Sequence, residues 1–345
     1  MKALLISMFV SFLVTFIITP QAIRLLWCAG INGRDLNKKN KPKLPASGGI
    51  AVAAGVVAGL LSYVGIQTFV YGVITVSIYL LGVISSILIV TFVGLLDDLN
   101  IKTSSVKTKD GNNTKIGLPQ WMKPLLTLPA AIPLMVLNAG ETTMMIPLLG
   151  EVNFGILYPL LLIPIGVVGV SNLINLLGGF NGVESGMGLV YTLALGIFGI
   201  LYGSKVGLNN GAVLLLITAA SLLAFLRYNW HPAKILPGDS LTYLLGAVVV
   251  SGVVIGNMEK IGIIIMIPFI LEFLLKLRSR FKATCLGKLR QDGKLDPPYG
   301  KKIYSLSHVV MNIKPMTEKQ VSVSLIAIQV AVAVLAFIIT FSGIA

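Results

Sequence analysis

Long apolar runs separated by short polar stretches set the pattern of this chain. The runs fall near residues 3–21, 48–66, 70–95, 121–138, 155–171, 187–204, 210–227, 240–256, 260–276 and 321–343. Each approaches the roughly 20 residues that a helix needs to cross about 30 Å of hydrocarbon. The pattern predicts an all-α polytopic membrane protein with about ten transmembrane helices, forming one integral membrane domain over residues 1–345. Run 48–66 is rich in Gly and Ala, and run 121–138 contains Pro124, Pro129 and Pro133. Membrane helices tolerate such residues when neighbours satisfy the freed backbone groups. The first run continues into Ile23, Arg24 and Leu25 without a small-residue cleavage pattern, so it reads as a retained helix.

The charged positions orient these helices. Of the 27 Lys and Arg, all but Lys2, Lys205 and Lys260 lie in or at the edges of loops 22–47, 96–123, 228–239 and 277–320. The positive-inside rule then predicts that these loops, with loop 172–186, are cytoplasmic and that both termini lie outside. The outer segment 139–154 reads AGETTMMIPLLGEVNF and is expected to form a short hairpin around Leu149 and Gly150.

Composition agrees with a membrane protein: 55% of residues are hydrophobic, 12% are charged, and mean hydropathy is +0.90. Soluble domains carry about 25% charged residues. The net charge of +14 does not point to nucleic acid, because the basic residues flank membrane helices and lack an aromatic stacking platform. Topogenesis and attraction for anionic headgroups or phosphates account for them. Two cysteines, Cys28 and Cys285, are too few for a disulfide framework, and no Cys/His spacing suggests zinc.

Four polar stretches carry candidate chemistry. Asp97 and Asp98 follow an apolar run of about 25 residues, in FVGLLDDLN. Two carboxylates at a helix C-terminal end oppose its dipole and repel each other, unless a cation sits nearby or the end is simply solvated. Asp239, in KILPGDSLTYLLG, starts a long run; it or Ser240 can cap the helix, or Asp239 can serve as an oxygen ligand for Mg²⁺. The stretch from Ser171 to Gly188, SNLINLLGGFNGVESGMG, holds three asparagines among glycines, either as a polar connection or as a ligand site to which Asn175 adds an amide oxygen. The first loop, GRDLNKKNKPKLPASGG, is basic and glycine-ended. Together these put acids, amides and cations on one membrane face, which suits an anionic substrate with a divalent metal. A transporter would also show about ten Gly- and Pro-broken helices, but its polar residues would gather at the midplane and internal repeats would be expected.

In order and spacing, GRDLNK with LPASGG, FVGLLDD, NLINLLGGFNGVESG and PGDSLTYLLG resemble the polyprenyl-phosphate N-acetylhexosamine-1-phosphate transferase family, from about Gly33 to Asp296. The dolichyl-phosphate branch of archaea and eukaryotes is the nearest in look. The resemblance implies transfer of GlcNAc-1-phosphate from UDP-GlcNAc to a membrane polyprenyl (dolichyl) phosphate, releasing UMP and opening lipid-linked oligosaccharide assembly for N-glycosylation. Another UDP-N-acetylhexosamine is the alternative donor. It implies Mg²⁺, with Mn²⁺ as a substitute, held by Asn175 and Asp239. Asp97 and Asp98 match the family's Asp pair, and Lys123 matches a phosphate-contacting lysine. Leu36, Gly179 and Asn181 match the uridine pocket. The eukaryotic Arg-His-Arg run has its nearest counterpart in Arg280, Phe281 and Lys282. Ala46 stands where those enzymes have Glu, and Leu236 where an aromatic stacks on uracil. With only His231 and His308, the chain lacks the histidine cluster of the peptidoglycan branch. The same resemblance implies the cell membrane for an archaeal chain or the endoplasmic reticulum for a eukaryotic one, with a homodimer as a candidate assembly.

Overall fold

The computed structural model describes residues 1–73, 75–99, 102–107, 113–116, 119, 121–146, 150–202 and 209–342. Lys109, Asp110, Leu149 and Lys205 lie outside the described residues.

Seven of the apolar runs form single long helices: α1 (Lys2–Cys28), α2 (Gly49–Phe69), α3 (Thr75–Asp98), α7 (Val183–Tyr202), α8 (Asn210–Asn229), α9 (Gly238–Gly256) and α13 (Glu318–Phe341). An eighth span, Tyr158–Leu176, joins one π turn to α6 (Ile163–Leu176). Among the described residues, these eight are long and apolar enough to cross a membrane. The remaining two expected runs are broken. Residues 122–136 form α4 (Met122–Thr127) and α5 (Ile132–Val136) around a 3₁₀ turn, Leu128–Ala131. Prolines 124, 129 and 133 remove the N–H groups that a continuous ladder needs. Residues 259–278 divide into α10 (Glu259–Ile265) and α11 (Ile267–Arg278), where Pro268 interrupts the backbone pattern, and the short α12 (Leu306–Ile313) precedes α13.

Short antiparallel hairpins decorate the connections: β1 (Asn32–Arg34) with β2 (Lys43–Pro45), β3 (Lys102–Lys107) with β4 (Asn113–Ile116), β5 (Thr143–Ile146) with β6 (Gly150–Asn153), and β7 (Lys288–Leu289) with β8 (Leu295–Asp296). The hairpin expected in 139–154 is thus present as β5 and β6. The polar connection expected over 172–186 is much shorter. Helix α6 runs on to Leu176 and α7 begins at Val183, so Asn172 and Asn175 stand on a helix. Asn172 completes this by donating Nδ2 to the Val168 carbonyl one turn back, at 2.8 Å.

Helix α9 is the centre of the bundle, with 83% of its spanning window buried against 22% for α13 and 33% for α1. Lipid offers little hydrophobic drive for helix association, so close backbone approach has to supply the packing. Glycines permit it: a Cβ at Gly49 of α2 or Gly94 of α3 would collide with the backbone around Ser240 and Leu241, and one at Gly246 with Ser171 of α6. Buried hydroxyls add polar ties elsewhere, such as Thr15 with Ser221 at 2.6 Å between α1 and α8. The outward residues Phe9, Leu88, Phe92 and Ile338 are exposed, as lipid-facing side chains of an integral membrane protein should be.

This packing converges at the first turn of α9. The first loop is tied to the chain just before that turn, through Leu236 N–H to the Pro45 carbonyl at 2.8 Å and Gly48 N–H to the Leu236 carbonyl at 3.0 Å. The LPASGG and PGDS motifs, far apart in the chain, become adjacent strips of backbone.

Candidate active site

A cavity of about 490 Å³ opens where these strips meet the end of α3, the start of α4, the α6–α7 connection and residues 284–286. Leu36, Asp97, Asp98, Lys123, Asn175, Gly179, Asn181 and Asp239 all line it. Arg280 and Lys282 do not: both are exposed, and Thr284, Cys285 and Leu286 supply that wall instead.

At one end, Lys123 Nζ lies 2.6 Å from Asp97 Oδ2 and 2.9 Å from Asp239 Oδ2. The Lys123 side chain is 14% exposed, Asp97 2% and Asp239 24%. Tyr243 donates its hydroxyl to the same Asp97 oxygen at 3.4 Å. Asp98 does something different. Its carboxylate accepts the N–H groups of Asp239 at 2.9 Å and Ser240 at 3.2 Å, two of the orphan donors at the start of α9. The capping expected of Asp239 or Ser240 is therefore performed from another helix, and Asp239 is left facing Lys123. A carboxylate at this positive helix end is favourable electrostatically, which offsets the position of Asp98 at its own helix's negative end.

Gly238 makes that cap possible. Its φ is +71°, and a Cβ there would press into the Asp98 carboxylate and the Ser47 amide. Gly238→Ala is expected to cost about 1–2 kcal/mol for the left-handed backbone alone, with further loss from the collision. A lowered thermal midpoint together with at least a tenfold fall in turnover would be the signature in detergent-purified protein.

The donor set fits a hard cation. Two carboxylates, Asp97 and Asp239, face one ammonium, with the Asp98 carboxylate beside them on the first turn of α9; the excess of negative charge favours a divalent ion, and every candidate ligand is oxygen. Among the described residues no three His, Cys, Asp or Glu side chains form a ready-made metal cage. Mg²⁺ suits such a place, since it takes one or two carboxylates and completes its shell with water and substrate oxygens. Asn175 is near: its Oδ1 accepts from Thr242 Oγ1 at 3.2 Å, and Thr242 lies one turn beyond Asp239.

The other end is built from backbone. Gly179 has φ +91°, donates its N–H to Glu184 Oε1 at 2.8 Å, and gives its carbonyl to Asn37 Nδ2 at 2.7 Å. Cys285 Sγ donates to the Gly178 carbonyl at 2.8 Å, and burial pushes the thiol's pKa up, so it stays protonated. Asn181 is engaged on both sides of its amide. Its Nδ2 donates to Asp35 at 3.1 Å, while Oδ1 accepts from Ala233 N–H at 2.9 Å and Lys38 at 3.3 Å. His231 stands nearby; burial and the Lys38 ammonium hold its pKa below the usual imidazole range.

Sequence reasoning missed several of these residues. Asp35 and Lys38 sit in the quoted GRDLNK motif without a role of their own, and Glu318 lies outside all the quoted motifs. The Thr317 to Gln320 capping box, in which each side chain meets the other residue's backbone N–H, marked where α13 starts. Nothing in the local sequence tells that Glu318 meets the α6–α7 connection. Thr284, Cys285 and Leu286 gave no chemical signal at all.

Residues 80–257 match the family described as glycosyl transferase family 4. A Saccharolobus solfataricus protein, provisionally named UDP-N-acetylglucosamine–dolichyl-phosphate N-acetylglucosaminephosphotransferase, is 35% identical over 98% of this chain and 97% of its own length. A Sulfolobus acidocaldarius protein with the same provisional name is 34% identical over 97% and 95%. The Dictyostelium discoideum UDP-N-acetylglucosamine–dolichyl-phosphate N-acetylglucosaminephosphotransferase is 26% identical over 92% of this chain and 83% of its own. The matched region runs from within α3 to the end of α9 and so carries the carboxylates, Lys123 and the glycine wall, and with the full-length relatives it establishes that this chain belongs to glycosyl transferase family 4.

Proposed function

We propose that this protein transfers GlcNAc-1-phosphate from UDP-GlcNAc to dolichyl or another polyprenyl phosphate, forming a diphosphate-linked sugar and releasing UMP. The observation that carries this reading is the Lys123 ammonium held between Asp97 and Asp239 in a cavity whose opposite wall is glycine backbone. The names of the full-length relatives supply the donor and acceptor. In this reading the ten apolar runs cross the bilayer with both termini outside, and the cavity faces the cytoplasm.

An oxygen of the lipid phosphate attacks the β-phosphorus of the donor, the one bearing the sugar. The bond from that phosphorus to the bridging oxygen breaks, and the electron pair leaves with UMP. Two anions must approach, so the protein's task is charge neutralisation and alignment more than proton transfer. A phosphate monoester is largely ionised near neutral pH and needs no strong base. Lys123 contacts the phosphate oxygens. Asp97 holds Lys123 in place, and Asp98 fixes the first turn of α9 that presents Asp239. Mg²⁺ held by Asp239 and Asn175 would supply further neutralisation of the diphosphate.

The test is UMP release by detergent-purified protein given Mg²⁺, a polyprenyl phosphate and a panel of UDP-sugars. Release is expected with UDP-GlcNAc and only in the presence of acceptor. No release from any UDP-sugar would sink the transferase reading in favour of transport; a phosphorylated enzyme formed without acceptor would replace direct attack by a two-step route.

A further inference from the structure

The first turn of α13 is far from the carboxylates in the chain, yet it grips the wall of the cavity. Glu318 is 4% exposed. Its Oε1 accepts the Asn181 N–H at 2.9 Å, and its Oε2 pairs with Lys38, with His231 Nε2 at 3.7 Å. One turn further along α13, Ser322 Oγ donates to the Asn181 carbonyl at 3.0 Å. Both polar groups of one residue in the α6–α7 connection are thus held by a single helix turn. Lys38 carries the same grip to the first loop, where it lies 3.5 Å from Asp35, a buried carboxylate that also receives the Asn181 side chain.

Buried charges are costly unless paired and hydrogen-bonded. Glu318 and Asp35 are both nearly inaccessible, and among their described partners the cation they share is Lys38. A connection of six residues, Leu177 to Gly182, needs no such network merely to turn between two helices. What the network fixes is the relative position of two strips that line the cavity, Asp35 with Leu36 and Gly178 to Asn181. Among the described residues, neither strip shares a hydrogen bond or ion pair with the side chain of Lys123 or Asp239.

We infer that Glu318 is a positioning residue for the nucleotide part of the donor, acting through Asn181 and Lys38, and that it leaves the phosphoryl-transfer end of the cavity untouched. This rests on the donor reading given above. These internal hydrogen bonds set the shape of the pocket wall, so a small shift of the strips weakens binding without altering the reacting atoms.

The experiment compares the unaltered full chain with Glu318→Gln and Glu318→Asp, all detergent-purified. It measures UDP binding by calorimetry together with kcat and KM for donor and for polyprenyl phosphate. Losing one charge-assisted buried bond is expected to weaken UDP binding and raise the donor KM by about tenfold. Turnover at saturation should stay within about twofold, the acceptor KM should not change, and Glu318→Asp should recover part of the loss. If Glu318→Gln does not fold, Ser322→Ala is read in its place, with a donor KM raised about threefold. Wild-type binding and KM in the folded variants, or an equal loss toward donor and acceptor, would overturn the inference alone. Absence of UDP binding by the unaltered protein would overturn the donor reading and this inference with it.

Discussion

Asp239→Asn is expected to abolish UMP release, with turnover down by about a thousandfold or more, while the protein still inserts and purifies as a folded species. The asymmetry follows from how the residue is used. Its backbone N–H donates to Asp98 and is retained in the variant, so the start of α9 keeps its cap. Its side chain, 24% exposed to the cavity, loses the charge that faces Lys123 and any divalent ion. Removing one of three clustered carboxylates also relieves repulsion, so the melting midpoint should hold or rise. Asn175→Ala should act in the same direction, and it should raise the Mg²⁺ concentration needed for half-maximal rate. Near-normal turnover in Asp239→Asn would remove the metal assignment altogether.

Lys123→Met should damage both activity and stability. The ammonium serves Asp97 and Asp239 at once, and Asp97 is 2% exposed. Deleting one partner of a buried ion pair typically costs about 3–5 kcal/mol, because the remaining charge is stranded. Turnover should fall by about 10²–10³ from the lost contact with the phosphates. The double variant Lys123→Met with Asp97→Asn separates the two effects. Thermal denaturation should return most of the way to the unaltered value, since no carboxylate at position 97 is left unpaired, while UMP release stays low. Recovery of activity in the double variant would show that Lys123 only balances Asp97 and has no role toward substrate.

The chain's local pattern marks out the carboxylates of the cavity, while Leu36, Lys123, Gly179 and Asn181 enter through the resemblance. Carboxylates at the ends of apolar runs are costly, so Asp97, Asp98 and Asp239 stood out before any contact was known, and eight proposed site residues line one cavity. Arg280 and Lys282 enter only through the resemblance, as the nearest counterpart of the eukaryotic Arg-His-Arg run. The chain leaves α11 through left-handed residues at Arg280 and Phe281, and the segment that reaches Gly178 and Gly179 comes later, at Cys285 and Leu286. The contact with the glycine connection is made there by a thiol and an apolar side chain.

Division of labour within the Asp pair was also invisible locally. Adjacent residues on a helix point about 100° apart, so one can meet Lys123 while the other caps a neighbouring helix. Only the packing of α3 against α9 assigns which does which, and that packing depends on glycines whose value lies in what they let approach.

Hydropathy and charge asymmetry by themselves determined that this is a helical membrane protein, because burying a backbone in lipid requires runs of about 20 apolar residues whatever the tertiary fold. They also located the polar motifs at the ends of those runs. Tertiary structure alone decided that two runs are broken by proline, that Asp98 caps α9, and that Glu318 of the last helix grips Asn181 across 137 residues of chain. The reason is physical: hydropathy is a property of each segment against its solvent, whereas a cap or a buried ion pair exists only once two distant segments share one space.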